Sequence, residues 1–297
     1  MYSTELVVQT FISGLMIGVL YALMALGITF IYSIMRMINW AMGEFYMIGS
    51  YLQYVLVAYL LGPDLWWLAI PVSAAGVFAL GLVVQWGLLK PIFRKPPEQR
   101  DDYATVVTLA LLLLFRSLAT GLAGPNQFTP GSNLPVIMVG PMPLAGARVA
   151  AFLFALAALA LFWAVLRYTW YGLALRAASQ SRVGVQTAGI DVLGIDRMAF
   201  GIGVALAGLA GALLAPVFLV FPTNGLVTTV KGFEIVVIGG LGSIPGALIA
   251  GLLLGLIESF GAAFVDSAYQ NIYGFLLVLA VLALRPTGLF GERGREA

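Results

Sequence analysis

Six ionisable side chains occupy or border apolar sequence: Glu44, Arg116, Glu234 and Glu258 within apolar runs, and Lys231 and Arg36 near their boundaries. Charges at membrane depth are costly, so they are paired, line a solute path or relay protons. Glu234 follows Lys231 by three residues, so on a helix the two share a face and can pair. Asn39 and Glu44 belong to the stretch Ile38-Asn39-Trp40-Ala41-Met42-Gly43-Glu44. Asn39 is placed to cap the following helix by accepting from its exposed amides. Glu44, in the first turns, faces the positive end of the helix dipole. Two readings stay open for Asn39, Gly43 and Glu44: a capping device alone, or part of a translocation path or its cytoplasmic gate. Further on, Gly239-Gly240-Leu241-Gly242-Ser243-Ile244-Pro245-Gly246 cannot stay a regular helix, because its glycines and proline break the ladder. Broken membrane helices are tolerated where protein covers them or where they line a cavity. Gly239, Gly240, Gly242 and Ser243 therefore join Lys231 and Glu234 as candidates for a path or hinge.

Other chemistry is excluded by what is missing. The chain has neither Cys nor His, which removes disulfides, thiol catalysis, zinc fingers and His-based triads. No glycine-rich stretch is followed by Gly-Lys-Ser/Thr, so the chain carries no recognisable nucleotide loop. Glu, Asp, Lys, Tyr and Ser are left as catalytic candidates, and no pair of them has a spacing that recommends a reaction. A transport role without enzymatic activity, metal or bound cofactor is expected.

The elements that must position these residues are membrane helices. Of 297 residues, 61% are hydrophobic and only 9% charged, with a mean hydropathy of +1.01. Soluble domains carry about 25% charged residues, so the solvent here is mostly lipid. A net charge of +2 implies no nucleic-acid partner. Apolar runs lie near Val8–Tyr32, Ala41–Leu61, Trp66–Leu89, Ala104–Leu122, Val149–Leu166, Met198–Val220, Ala247–Val265 and Asn271–Leu284. Each approaches the roughly 17–25 residues that cross the hydrocarbon. The first is too long for a signal-peptide core and lacks a basic leader, so it reads as a retained span.

Orientation follows from the basic residues. Arg36; Lys90, Arg94, Lys95 and Arg100; Arg167, Arg176, Arg182 and Arg197; and Arg285, Arg293 and Arg295 all fall inside if the N-terminus is outside and a ninth crossing exists. Leu226–Gly242 is its candidate, a short helix packed against protein. The expected fold is all-α: one polytopic membrane domain over 1–297, a bundle of about eight or nine spans with a break near 239–246. Small residues four apart (Gly14 and Gly18, Gly251 and Gly255, Gly203, Ala207 and Gly211) call for close helix packing.

Two connections are long enough to act. Residues 121–148, rich in Pro and Gly, read as an outer cap or re-entrant loop, or as a plain connector. Residues 167–197 lie on the cytoplasmic side, and Gly172–Gln186 lacks Pro and can form a short helix. That segment is a docking surface for a soluble partner or simply a solvated loop.

These segments together resemble the permease subunit of branched-chain amino acid ABC importers, the LivH type. The likeness runs through Tyr21–Thr29, Ile38–Tyr51, Ala188–Asp191 with Asp196-Arg197, Gly239–Ala247 and Arg285–Gly291. It implies a bacterial inner-membrane protein that pairs with a second homologous permease and two cytoplasmic ATPases, which use the ATP. A periplasmic binding protein would deliver the solute. It also implies a coupling helix in the cytoplasmic loop, which assigns ATPase coupling to Arg176, Arg182, Gly189, Asp191, Asp196 and Arg197. Two positions depart from the family: Met42, where many relatives have His, and Gln180-Ser181, where relatives often carry acidic residues. LivH-like permeases also serve urea, amide and aromatic-acid importers. The competing expectation is a stand-alone channel or ion-coupled transporter, with Glu44 and Glu234 as proton or cation sites.

Overall fold

The computed structural model describes residues 4–131, 133–139 and 142–291; Arg293 and Arg295 lie outside them. Every expected apolar run contains a helix. In chain order the helices are α1 (Thr4–Met35), α2 (Met42–Val55), α3 (Trp66–Val84), α4 (Pro97–Ala123), α5 (Gly146–Tyr168), α6 (Trp170–Gln180), α7 (Arg182–Thr187), α8 (Val192–Leu214), α9 (Asn224–Gly239), α10 (Ile244–Phe264) and α11 (Gln270–Leu284). Among the described residues, seven helical stretches are long and apolar enough to cross a membrane. The expected second and ninth crossings take shorter forms. α2 runs on through a π-helical stretch, Leu56–Leu61. α9 has 16 residues, about 24 Å at helical rise, and is covered largely by protein.

Burial separates core from perimeter. The most apolar window of α1 is 89% buried and that of α8 72%, against 17% for α4 and α5 and 11% for α11. α1 and α8 are thus the central pair, and α4, α5 and α11 turn most of their surface outward from the bundle. Glycine explains the tight centre. A Cβ on Gly14 would lie 3.1 Å from the Gly255 carbonyl oxygen, and one on Gly18 only 2.9 Å from Leu252 Cα. The backbones of α1 and α10 therefore touch, as small residues four apart allow. Gly203 meets Ile31 of α1, and Gly211 meets the Tyr46 carbonyl of α2, so α8 is packed on two sides through the same device.

These contacts run antiparallel and sort the chain ends. One end of the bundle gathers the last turn of α1, the 167–197 segment, the 240–243 turn and the final described residues. There Arg182 reaches the Ile34 carbonyl, Gly242 faces Tyr32, and Leu289 N–H donates to Ile238 O. The opposite end holds the start of α1 and the 124–145 loop. Gln9 donates to Pro143 O at 3.5 Å, Asn133 to Asp64 at 2.8 Å, and Phe128 pairs with Val220. Within that loop β1 (Ile137–Val139) and β2 (Met142–Leu144) form an antiparallel hairpin.

The break expected near 239–246 is a turn between two helices. Lys231 of α9 touches Glu258 of α10, which only an antiparallel hairpin permits. Two local expectations need correction. The 172–186 segment is two helices, because Ser181 is extended and its hydroxyl caps α7 by accepting from Gly184 N–H at 3.1 Å. The sixth apolar helix begins at Val192, earlier than hydropathy suggests, since Asp191 Oδ1 accepts from Leu193 N–H at 3.0 Å and caps it. It ends at Leu214, two residues before Pro216. Asp196 and Arg197 consequently belong to a helix.

Candidate functional site

Apart from Arg116, the residues singled out in the sequence fall into four places. At one end, α6 and α7 form the polar helical segment between α5 and α8. Thr169 caps α6 by accepting from Gly172 N–H at 3.0 Å. Arg176, Gly189, Asp191 and Arg197 are exposed there. Arg182 turns inward: one guanidinium nitrogen donates to Ile34 O in the last turn of α1 at 3.0 Å, and the other to Asp196 Oδ2 at 2.5 Å. Asp196 is completely buried, whereas the Arg182 side chain keeps 26% exposure. The short helix α7 is thus tied by one side chain to both central helices. Sequence alone grouped Arg182 and Asp196 with the surface residues; the fold makes them an internal brace.

Beside this brace lies the turn. Gly240 and Gly242 adopt φ of 97° and 82°, a region closed to most side chains. A Cβ on Gly240 would sit 2.5 Å from Gly291 N, and Gly239 faces Gly246 backbone. Ser243 Oγ accepts from Gly246 N–H at 3.1 Å and caps α10. The turn is therefore clamped between α9, α10 and the last described residues.

Deeper in the bundle, α2 begins against α9. The chain runs without regular structure from Arg36 to Ala41 before α2 starts, and Arg36 itself takes φ 55°. Asn39 is not the cap expected of it. The capping position is Ala41, which offers no side chain, and Asn39 Oδ1 accepts from Ala41 N–H at 3.0 Å instead. Gly43 is packed so closely on α9 that its N–H donates to Thr229 Oγ1 at 3.1 Å, and a Cβ there would run into Gly225 O. Glu44 is fully buried, and neither of its oxygens has a hydrogen-bond partner among the described residues. Its carboxylate lies against Gly225, in the first turn of α9. The positive end of a second helix dipole therefore offsets its charge, in addition to that of α2. Asn224 Nδ2 donates to Ser50 Oγ at 3.3 Å in the same region.

On the opposite face of α9, Lys231 pairs with Glu234 at 3.6 Å, as their spacing suggests. It pairs more closely with Glu258 of α10. Tyr21 OH and Gln270 Nε2 also donate to Glu258, at 3.0 and 3.3 Å. Gly225 and Thr229 lie about 140–180° around the helix from Glu234 at 3.6 residues per turn. Glu44 and Glu234, grouped as one path in the sequence, thus belong to separate polar clusters on two sides of one helix. The sequence marked Glu258 as a buried charge, but Tyr21, Thr229, Asn224 and Gln270 carried no signal, since each looks ordinary within its own helix.

A groove of about 500 Å3 opens between α2 and α4, lined by Met47, Tyr51, Tyr54, Phe115 and Phe128 among others. None of the candidate path or coupling residues lines it. Arg116 lies on another face of α4, beside Ser117 and Thr120.

Comparison with known proteins places these features in context. The family described as "Branched-chain amino acid transport system / permease component" matches residues 10–284. The chain is 30% identical to the high-affinity branched-chain amino acid transport system permease protein LivH of Escherichia coli K12, over 96% of this chain and 95% of that one. It is also 30% identical to the permease protein BraD of Pseudomonas aeruginosa, with the same coverage. A probable LivH of Methanocaldococcus jannaschii is 28% identical over 92% of this chain and 89% of its own. No solved structure matches the chain.

Proposed function

The chain belongs to the permease components of branched-chain amino acid transport systems, and from that premise we propose that it is the membrane subunit of an ATP-driven importer. The solute is a branched-chain amino acid or a close relative. The chain sits in the bacterial inner membrane with a second homologous permease, binds no cofactor itself, and takes its power from two cytoplasmic ATPases that use the ATP. A periplasmic binding protein delivers the solute to the end formed by the 124–145 loop. The N-terminus is outside, and the end carrying α6 and α7 is cytoplasmic.

The observation that carries this reading is the Arg182 brace. A partner pressing on the exposed side of α6 and α7 moves a helix whose inner side is held to α1 and α8. These are the two most buried spans, and rigid elements with discrete packings transmit such motion. α8 meets α2 through Gly211 and Gly208, so displacement reaches the start of α2, where Gly43 and Glu44 meet α9. Arg176, Asp191 and Arg197 supply the exposed polar contacts to the ATPase, and Gly189 shapes the end of α7. Gly239, Gly240, Gly242 and Ser243 set the angle between α9 and α10 during the switch.

Uptake of a radiolabelled branched-chain amino acid tests this. With all partners present, uptake requires ATPase subunits competent for hydrolysis. Concentrative uptake by the purified chain alone in liposomes sinks the proposal. It would support an ion-coupled carrier instead, a reading favoured only by the buried carboxyl groups of Glu44 and Glu234, which lack hydrogen-bond donors among the described residues.

A further inference from the structure

Five polar side chains from four helices meet inside the bundle: Lys231 and Glu234 of α9, Glu258 of α10, Tyr21 of α1 and Gln270 of α11. The donors are shared unequally. Glu258 accepts from three of them, Lys231 Nζ on Oε1 and Tyr21 OH and Gln270 Nε2 on Oε2. Glu234 accepts from none. Its nearest cation is the same Lys231, 3.6 Å away, and both its oxygens are buried without a hydrogen-bond partner among the described residues. Glu258 is 0% exposed and Glu234 5%. Room for the second carboxyl is built in: Gly274 of α11 faces Glu234, and a Cβ there would come within 2.5 Å of Oε2.

Charge counting then decides the state. One ammonium stands against two carboxyl groups. Among the described residues, no other Lys or Arg forms an ion pair with either of them. The surrounding helices add no cation. α1 offers the Tyr21 phenol, α2 offers the Tyr46 phenol, and α11 offers Tyr273, whose hydroxyl is engaged with Asp266 O. Glu44, with Arg116 of α4 beyond it, is on the other face of α9. Ionising both carboxyls would leave one uncompensated charge in the protein interior, which desolvation strongly disfavours. Two carboxyls that share one cation in such a place share one proton as well. Glu258 accepts from three donors and Glu234 from none among the described residues, so the shared proton stays on Glu234.

We infer that Glu234 is a proton-binding site: it holds a proton in this packing and makes the Lys231–Glu258–Glu234 cluster neutral. Ionised Glu234 competes with Glu258 for Lys231 and loosens α10 from α9. Transport therefore fails when alkaline conditions strip the proton.

The test is infrared spectroscopy of the full chain in lipid, reading the C=O stretch of protonated carboxyl groups. Relative to wild type, Glu234→Gln loses one carboxylic acid. Lys231→Met gains one, because both carboxyls then need protons. Glu258→Gln also loses one, because Lys231 turns to Glu234. The contribution of Glu44 is common to all and cancels. Gln is isosteric with the protonated acid, so Glu234→Gln folds, as its elution and thermal unfolding will show. In the assembled importer, Glu234→Gln keeps uptake at the alkaline pH where wild type loses it. An undiminished carboxylic acid band in Glu234→Gln overturns the inference, as does an alkaline loss of uptake unchanged by that substitution. The infrared result does not depend on what drives transport, so it stands apart from the fate of the importer reading.

Discussion

The brace between Arg182 and Asp196 makes a quantitative claim. Asp196 is fully buried and its partner 26% exposed. Removing one member of a fully buried ion pair costs about 3–5 kcal/mol, because a charge stays behind in the interior. In Asp196→Leu the charge left behind is Arg182, which still donates to Ile34 O and can turn its exposed edge to water. The loss falls accordingly, to about 1.5–3 kcal/mol, the range of one charge-assisted hydrogen bond. In Arg182→Met the stranded group is the buried carboxylate, so that variant costs more, toward the upper figure of about 5 kcal/mol. The double variant strands no charge and is more stable than the sum of the two losses. A double-mutant cycle of unfolding in mixed micelles measures the difference. A coupling energy above about 1 kcal/mol is expected, well outside the roughly 0.3–0.5 kcal/mol scatter of independent sites. The same variants, assembled with the partners, should retain ATPase subunits yet lose much of their uptake. Additive losses, or full uptake by Asp196→Leu, would falsify the brace as the link from α7 to the central helices.

Exposed charges of the same segment should behave in the opposite manner. Arg176→Glu and Arg197→Glu leave unfolding within about 0.5 kcal/mol of wild type but weaken co-purification of the ATPase; an intact complex would move the docking surface elsewhere on α6 and α7. Gly43→Val drives a side chain into Gly225 O and Thr229, at an expected cost of at least about 1–3 kcal/mol from overpacking. It separates α2 from α9, which thermal unfolding and uptake will both register. Gly240→Leu combines a φ of 97° with overlap on Gly291. The backbone share alone is about 1–2 kcal/mol, and transport should stop while the protein still reaches the membrane.

Some of the site could be read from the chain itself. Lys231 and Glu234 pair because three residues along one helix bring side chains together, and that rule is local. The turn at 240–243 was legible for the same reason, since glycines at positive φ and a proline end helices wherever they stand. What was misplaced involved a second helix. Asp196 and Arg182 are 14 residues apart and looked like two surface charges, until the cap on Asp191 started α8 early and turned Asp196 inward. Glu258 was visible as a buried charge, but its donors come from α1, α9 and α11, and no spacing relates them.

A chain with 61% hydrophobic residues and 9% charged can only fold in lipid, where the backbone must satisfy itself within helices or a closed barrel, and continuous apolar runs of about 20 residues select the helix. Composition and hydropathy therefore determined the class of fold, the approximate spans and the distribution of basic residues between them. They left open which faces of those helices meet. In a bilayer, Leu gains little by exchanging lipid for protein, so close packing and polar contacts select the partners. Only the assembled bundle decided that α9 turns Gly225 and Thr229 to Glu44 on one side and Lys231 and Glu234 to Glu258 on the other, because that choice depends on where glycines let four backbones approach at once.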